Sequence, residues 1–144
     1  AKAIAKEKGV EMLLPVDVVC ADEFANDAHK EVCTVVEMPD SMMGLDIGPA
    51  TAIVYSEAIE DAKTVFWNGP MGVFEMPSFE GGTRAVAEAV ANNKAADTII
   101  GGGDSVAAVN KFGLADQMTF ISTGGGASME LVQGELLPGV EALK

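Results

Sequence analysis

Apolar residues recur along the chain with two different spacings. Ala1, Ile4 and Ala5 share one helical face and Gly9 offers a stop, so residues 1–8 predict a short helix. Residues 12–15 and 16–21 are apolar and β-branched, residues 32–36 form a second extended run, and the polar segment 22–31 separates them. That pattern predicts two strands joined by a loop. From Gly44 onward one unit recurs: a short apolar run, a glycine cluster, then apolar residues at helical spacing. Leu45 to Pro49 leads into Ala50, Ile53, Val54 and Ala58; Thr64 to Trp67 leads through Asn68-Gly69-Pro70 to Val86, Ala89 and Val90. Thr98 to Ile100 leads through Gly101-Gly102-Gly103 to Val106, Val109 and Phe112, and Met118 to Ile121 leads through Gly124-Gly125-Gly126 to Leu131 and Val132. Four strand-glycine-helix units predict a parallel sheet covered by helices.

In such a sheet the strand-to-helix loops share the carboxyl edge, where ligands bind. The glycine clusters are therefore expected on one side of the molecule. The chain has 144 residues, enough for one domain, and its 49% apolar and 22% charged content excludes disorder. Its apolar runs are far shorter than the ~20 residues of a spanning helix. The opening residues lack the apolar core and cleavage site of a targeting segment and read as a helix entered midway. Nine basic against 22 acidic residues give a net charge of −13, which repels a phosphate backbone and argues against nucleic-acid binding. Cys20 and Cys33 are two thiols in a chain long enough to build a core without staples, and His29 alone cannot complete a zinc set with them. This predicts a reducing, cytoplasmic setting without structural zinc.

Gly101-Gly102-Gly103-Asp104-Ser105 follows a strand and opens a helix, where bare backbone N–H groups and the helix dipole suit phosphate oxygens. The plainer alternative is a tight turn with Asp104 or Ser105 as N-cap. A carboxylate beside bound phosphates makes sense as a Mg²⁺ ligand, which singles out Asp104. Ser122 to Gly126 is a second loop of this kind, and two on one sheet edge favour an anion site. Neither is a P-loop, for GxxxxGK[ST] and GxGxxG are both absent and no lysine stands within either cluster. Trp67 to Glu75 sets the single Trp among glycines and a proline, which makes either a rigid functional loop or a core aromatic entering an ordinary turn. His29 and the carboxylates of Glu57, Glu60 and Asp61 read as solvated, and the eight Met as core filler.

Taken together, LDIGP at residues 45–49, TVFWNGPMGVFE at 64–75, GGGDS at 101–105, STGGGAS at 122–128 and the later LPGV resemble phosphoglycerate kinases. EMLLPVDVVCAD at residues 11–22 also resembles that family, so the likeness covers essentially the whole chain in the family's order. It implies a three-layer, doubly wound parallel sheet of Rossmann-like kind, incomplete at its N-terminal side, with residues 1–144 forming the later part of the C-terminal, nucleotide-binding domain. The family's reaction moves a phosphoryl group between 1,3-bisphosphoglycerate and Mg-ADP in glycolysis, giving 3-phosphoglycerate and ATP. Carried onto matching positions, Gly44, Leu45 and Val73 border the adenine, while Asn68, Pro70 and Glu75 face ribose and phosphates. Gly101, Gly102, Gly103 and Ser105 meet the nucleotide phosphates, and Asp104 binds Mg²⁺. Gly124 and Gly125 present N–H groups to the phosphoryl group in transfer.

The departures are equally informative. The family's basic N-terminal lobe, which holds the triose substrate, has no counterpart here, nor does the lysine-bearing glycine loop that opens the C-terminal lobe. The last residues, Glu141 to Lys144, stop short of the family's returning tail. The resemblance thus implies an enzyme fragment, inactive by itself, carrying part of a nucleotide half-site. The alternative is a free-standing acidic module that binds nucleotide or another anion without catalysis.

Overall fold

Gly9, left-handed at φ 67°, donates its N–H to the Lys6 carbonyl and ends the first helix, α1 (Lys2–Lys8), as its position predicts. A computed structural model describes residues 1–143; Lys144 lies outside the described residues. After an extended run, β1 (Asp17–Ala21) pairs with β2 (Lys30–Thr34), giving the expected two strands and loop as an antiparallel pair. On its other side β1 pairs with β3 (Met43–Ile47), again antiparallel, so the first sheet runs β2-β1-β3.

This corrects the expectation of one parallel sheet fed by four equivalent units. Only three of the four strands join it: β4 (Thr64–Asn68), β5 (Asp97–Gly101) and β6 (Phe120–Ser122) form a parallel sheet in that order. The rhythm of a unit fixes the helix after a strand but not the strand beside it. The contacts that hold β3 against β1 are tertiary. The Asp17 carbonyl accepts from the Gly48 N–H at 2.9 Å, and the Asp17 carboxylate receives the N–H groups of Ala50 and Thr51 at 3.0 and 2.8 Å. A side chain on β1 therefore caps the helix after β3, α2 (Pro49–Glu60), whose own N-cap is Gly48 and whose Pro49 is preset for a first turn.

The remaining elements are α3 (Gly81–Asn92), preceded by a short 3-10 turn at Pro77–Phe79, then α4 (Gly103–Lys111), α5 (Gly125–Val132) and α6 (Pro138–Glu141), the last not foreseen from the sequence. The result is a mixed α/β fold whose parallel sheet is flanked by helices and does not close. Helices α2 and α3 pack along one another and join the two halves. The main core lies in the parallel half, where Trp67, Val86, Val90, Ile100, Ala108 and Val109 are buried together. A smaller cluster of Ala21, Leu45 and Phe79 supports the antiparallel half.

Candidate functional site

The three parallel strands end side by side, and their loops meet. Gly102, at φ 90°, lies so close to Gly125 and Asn68 that a Cβ on it would stand 2.7 Å from Asn68 Oδ1. A Cβ on Gly125 would stand 2.7 Å from the Gly102 Cα. Nothing larger than glycine fits at this crossing, and the expected gathering of the glycine loops is observed for those after β4, β5 and β6, not for the Gly48 loop after β3, which lies against Asp17. The Gly102 N–H donates to the Ser122 carbonyl at 3.0 Å, fixing the β5 loop to the β6 loop. Around the crossing the backbone is open: a Cβ on Gly103 or Gly126 would meet nothing within 4 Å, and one on Gly124 only Ser122 Oγ at 3.7 Å.

Neither α4 nor α5 has a side-chain cap. The alternative of a turn capped by Asp104 or Ser105 is thus not what the chain adopts. Asp104 stands exposed in the first turn of α4, while Ser105 is fully buried and its Oγ accepts the Gly69 N–H at 2.7 Å. The uncapped first turns leave backbone N–H groups directed at the strand ends, with the positive ends of two helix dipoles. This cradle fits phosphate oxygens. Among the described residues no three His, Cys, Asp or Glu converge to hold a metal. A lone Asp104 fits Mg²⁺, which takes one or two carboxylates and completes its shell with phosphates and water.

The loop after β4 is pinned from several sides. Trp67 Nε1 donates to the Gly69 carbonyl at 2.7 Å, and Thr83 Oγ1 accepts from Met71 and Gly72 N–H at 3.1 and 3.2 Å. Lys111 Nζ donates to the Phe74 carbonyl at 2.6 Å and pairs with Glu80 at 2.7 Å; Glu80 also pairs with Arg84, whose guanidinium lies over the Phe112 ring. The hydrogen bonds from Arg84 and Lys111 hold the Glu80 carboxyl below its ordinary range. Glu75, next to Phe74, is exposed and is positioned by this clamp.

Between this loop and β3 lies a cavity of about 440 Å³, lined by Gly44, Leu45, Asp46 and Ile47 on one wall and Pro70, Met71, Gly72 and Val73 on the other. The walls are joined where Val73 N–H donates to the Leu45 carbonyl at 2.8 Å. Four residues singled out from the sequence thus share one cavity, although they lie 29 positions apart at the widest: Gly44, Leu45, Pro70 and Val73. Asn68 belongs to the glycine crossing instead. Gly101 is buried behind it against the Phe66 ring. His29 is exposed, as expected.

Sequence reading passed over Asp46, Thr83 and Lys111. Asp46 is 5% exposed and accepts from Gly82 N–H at 2.7 Å and Ile47 N–H at 2.9 Å, so it caps α3 from β3 as Asp17 caps α2 from β1. Burial pushes its pKa up to about 6 in spite of both hydrogen bonds. Asp17 is also buried, which works against its charge, but the hydroxyl and N–H of Thr51 and the N–H of Ala50 outweigh that and hold its pKa below the usual value. The signal for Asp46 was present in the sequence: a lone carboxylate inside the apolar run Leu45 to Ile47 needs a donor partner.

No helix among the described residues is long and apolar enough to cross a membrane. The model of the family described as phosphoglycerate kinase matches residues 1–135. A phosphoglycerate kinase of Thermosynechococcus vestitus is 60% identical over 141 residues, covering 96% of this chain and 35% of the relative. The solved phosphoglycerate kinase of Coxiella burnetii superposes with a TM-score of 0.89 at 45% identity, over 94% of this chain and 35% of that one. That of Pyrococcus horikoshii gives 0.82 at 34% identity, over 99% and 35%. The chain therefore spans about a third of the length of the relatives it matches. Motif order, fold and identity agree, and the chain belongs to the phosphoglycerate kinase family.

Proposed function

We propose that residues 1–144 form the nucleotide side of a phosphoglycerate kinase: the later part of its C-terminal domain, without the lobe that holds the triose. In the complete protein the reaction is reversible phosphoryl transfer between 1,3-bisphosphoglycerate and Mg-ADP, giving 3-phosphoglycerate and ATP, in the cytoplasm. The observation that carries this reading is the crossing of Asn68, Gly102 and Gly125 at the open ends of two uncapped helices. Family membership favours it over a free-standing anion-binding module.

The adenine enters the cavity between the two walls, bordered by Gly44, Leu45 and Val73, whose apolar character suits a flat ring. Asn68 and Pro70 face the ribose and phosphates from the pinned loop, and Glu75 accepts from ribose hydroxyls. The N–H groups of Gly103 and Ser105 receive the nucleotide phosphates, while Gly101 and Gly102, whose Gly102 N–H is held by the Ser122 carbonyl, shape the loop behind them; the Ser105 hydroxyl supports the Gly69 turn rather than the ligand. Asp104 would hold Mg²⁺, which when bound neutralises charge on the phosphates. Gly124 and Gly125 direct N–H groups at the phosphoryl group in flight. Catalysis then rests on positioning and on donors aimed at developing charge. Because the acyl phosphate has no holder in this segment, the 144 residues alone are inactive.

Titration of the purified chain with Mg-ADP in a calorimeter, with and without EDTA, tests the half-site. The expected result is weak binding that drops at least tenfold when the metal is removed and likewise in Asp104→Asn. Binding indifferent to both changes, or a folded chain that binds no nucleotide, overturns it. A coupled assay free of host enzyme should show no turnover.

A further inference from the structure

The two cysteines stand on neighbouring strands of the antiparallel sheet. Val18 lies opposite Cys33 and Cys20 opposite Glu31, so the two thiols are diagonal neighbours on one face of the β1–β2 pair. Their sulfurs are 3.2 Å apart, both free, and Cys20 Sγ also lies 3.6 Å from Met42 Sδ. Cys20 is fully buried, whereas Cys33 is partly open to solvent. The other four residues of β2 are exposed, so Cys33 is the least open position on that strand.

We infer that Cys20 and Cys33 form a reversible thiol–disulfide pair that ties β2 to β1 when a small-molecule disulfide is the oxidant. The Cys33 thiolate attacks the oxidant RS–SR, breaking its S–S bond, expelling one thiol and leaving a mixed disulfide on Cys33. Cys20 gives up its proton, attacks the Cys33 sulfur, forms the intramolecular bond and expels the second thiol. Two protein thiols become one disulfide as the oxidant becomes two thiols, so atoms and electrons balance. The order follows exposure: only Cys33 is reachable from outside, and Cys20 waits at contact distance behind it.

The geometry also sets how firmly the bond is held. Diagonal partners in an antiparallel ladder stand ~7–8 Å apart at Cα, just beyond the ~4.4–6.8 Å usual for a disulfide, whose S–S bond is ~2.05 Å. Closing the remaining gap requires β2 to slide slightly along β1, and β2 is an edge strand with no partner on its far side. A bond closed under such shear is more easily reduced than an unstrained one. The Cys20 thiol, burial and the charges of Glu31 and Glu37 keep Cys33 protonated at neutral pH, with a pKa of about 11, so the exchange is slow rather than indiscriminate.

The test treats the reduced 144-residue chain with oxidised glutathione in native buffer, blocks remaining thiols and maps tryptic peptides. Lys30 separates the cysteines, so the bond joins peptides 9–30 and 31–63. The expected products are a monomer that has lost two thiols, keeps its circular dichroism and returns to the dithiol with dithiothreitol. Cys20→Ser should stop at glutathione on Cys33, and Cys33→Ser should stay unmodified until denatured. Wild-type chain that accumulates only glutathionylated Cys33, links cysteines between molecules, or forms the bond only in denaturant overturns the inference.

Discussion

The antiparallel and parallel halves are held together by different means. In the parallel half, buried Ile100, Val90 and Val109 sit in one apolar cluster with Trp67 and Phe74, and α3 and α4 cover the strands across that common core. In the antiparallel half the buried cluster is Ala21, Leu45 and Phe79, and two carboxylates, Asp17 and Asp46, fasten the strands to the helices that come after them. Apolar burial is insensitive to pH, whereas buried carboxylates are not. One chain thus combines a half whose cohesion is constant with a half whose cohesion titrates, and the cavity lies where they meet.

The widest separation between the halves should appear on deleting apolar volume. Ile100→Ala removes a fully buried side chain from the main core and should cost about 4 kcal/mol in urea unfolding. The same loss from Val32→Ala, on the exposed edge strand β2, would break the comparison; there less than about 0.5 kcal/mol is expected.

Next is the pH profile of stability. The folded pKa of Asp46, about 6, lies above its unfolded value, so its favourable contribution is complete below about pH 4 and is lost as pH rises through 6. Between pH 4 and 7 the wild-type chain should lose on the order of 3 kcal/mol relative to Asp46→Asn, read as the difference between two urea-midpoint profiles. Parallel profiles would mean that the carboxylate stays charged throughout.

Gly125→Ala should cost about 2 kcal/mol, because its Cβ meets the backbone of Gly102 and not a mobile side chain. Gly124→Ala has room and should melt as wild type, so it is the variant that separates fold from phosphoryl-group contact. Loss of stability in both would place the tight crossing elsewhere. A smaller loss than at Gly125 is expected from Asp17→Ala, about 1 kcal/mol at pH 7 from the lost cap of α2. Since the folded pKa of Asp17 is lowered, that contribution is present above its unfolded value and fades as pH falls below about 4, opposite in sign to Asp46. The gap between variant and wild-type melting curves should be narrower at pH 3 than at pH 7.

The parallel half was legible because each of its strands is a short apolar run leading into a glycine-bearing loop, and the gathering of those loops followed from the parallel sheet they predict. Thr98 to Ile100 and the helix bearing Val106 and Val109 are where the spacing placed them. The antiparallel pairing of β3 was not legible, since its determinants are contacts such as that of the Gly48 N–H with the Asp17 carbonyl, polar groups 31 positions apart with no periodicity between them. Boundaries also shifted: β2 covers Lys30–Thr34 rather than 32–36, because the ladder with β1 sets its ends and not its β-branched content. For the site, it was the family resemblance that singled out Gly44, Leu45, Pro70 and Val73, which share one cavity, and the residues that hold its walls, Thr83 and Lys111, act through side chains whose partners are distant in sequence.

The single indole gives this architecture an optical readout. Trp67 is buried beneath the parallel half, yet its Nε1 hydrogen bond ends on the carbonyl of Gly69, in the same loop that forms one wall of the cavity. Emission from the native chain should be blue-shifted and should redden when that loop lifts, even while the helices remain intact. With no second tryptophan to blur the signal, comparing fluorescence with far-ultraviolet dichroism along one denaturant series distinguishes loosening of the loop from collapse of the sheet.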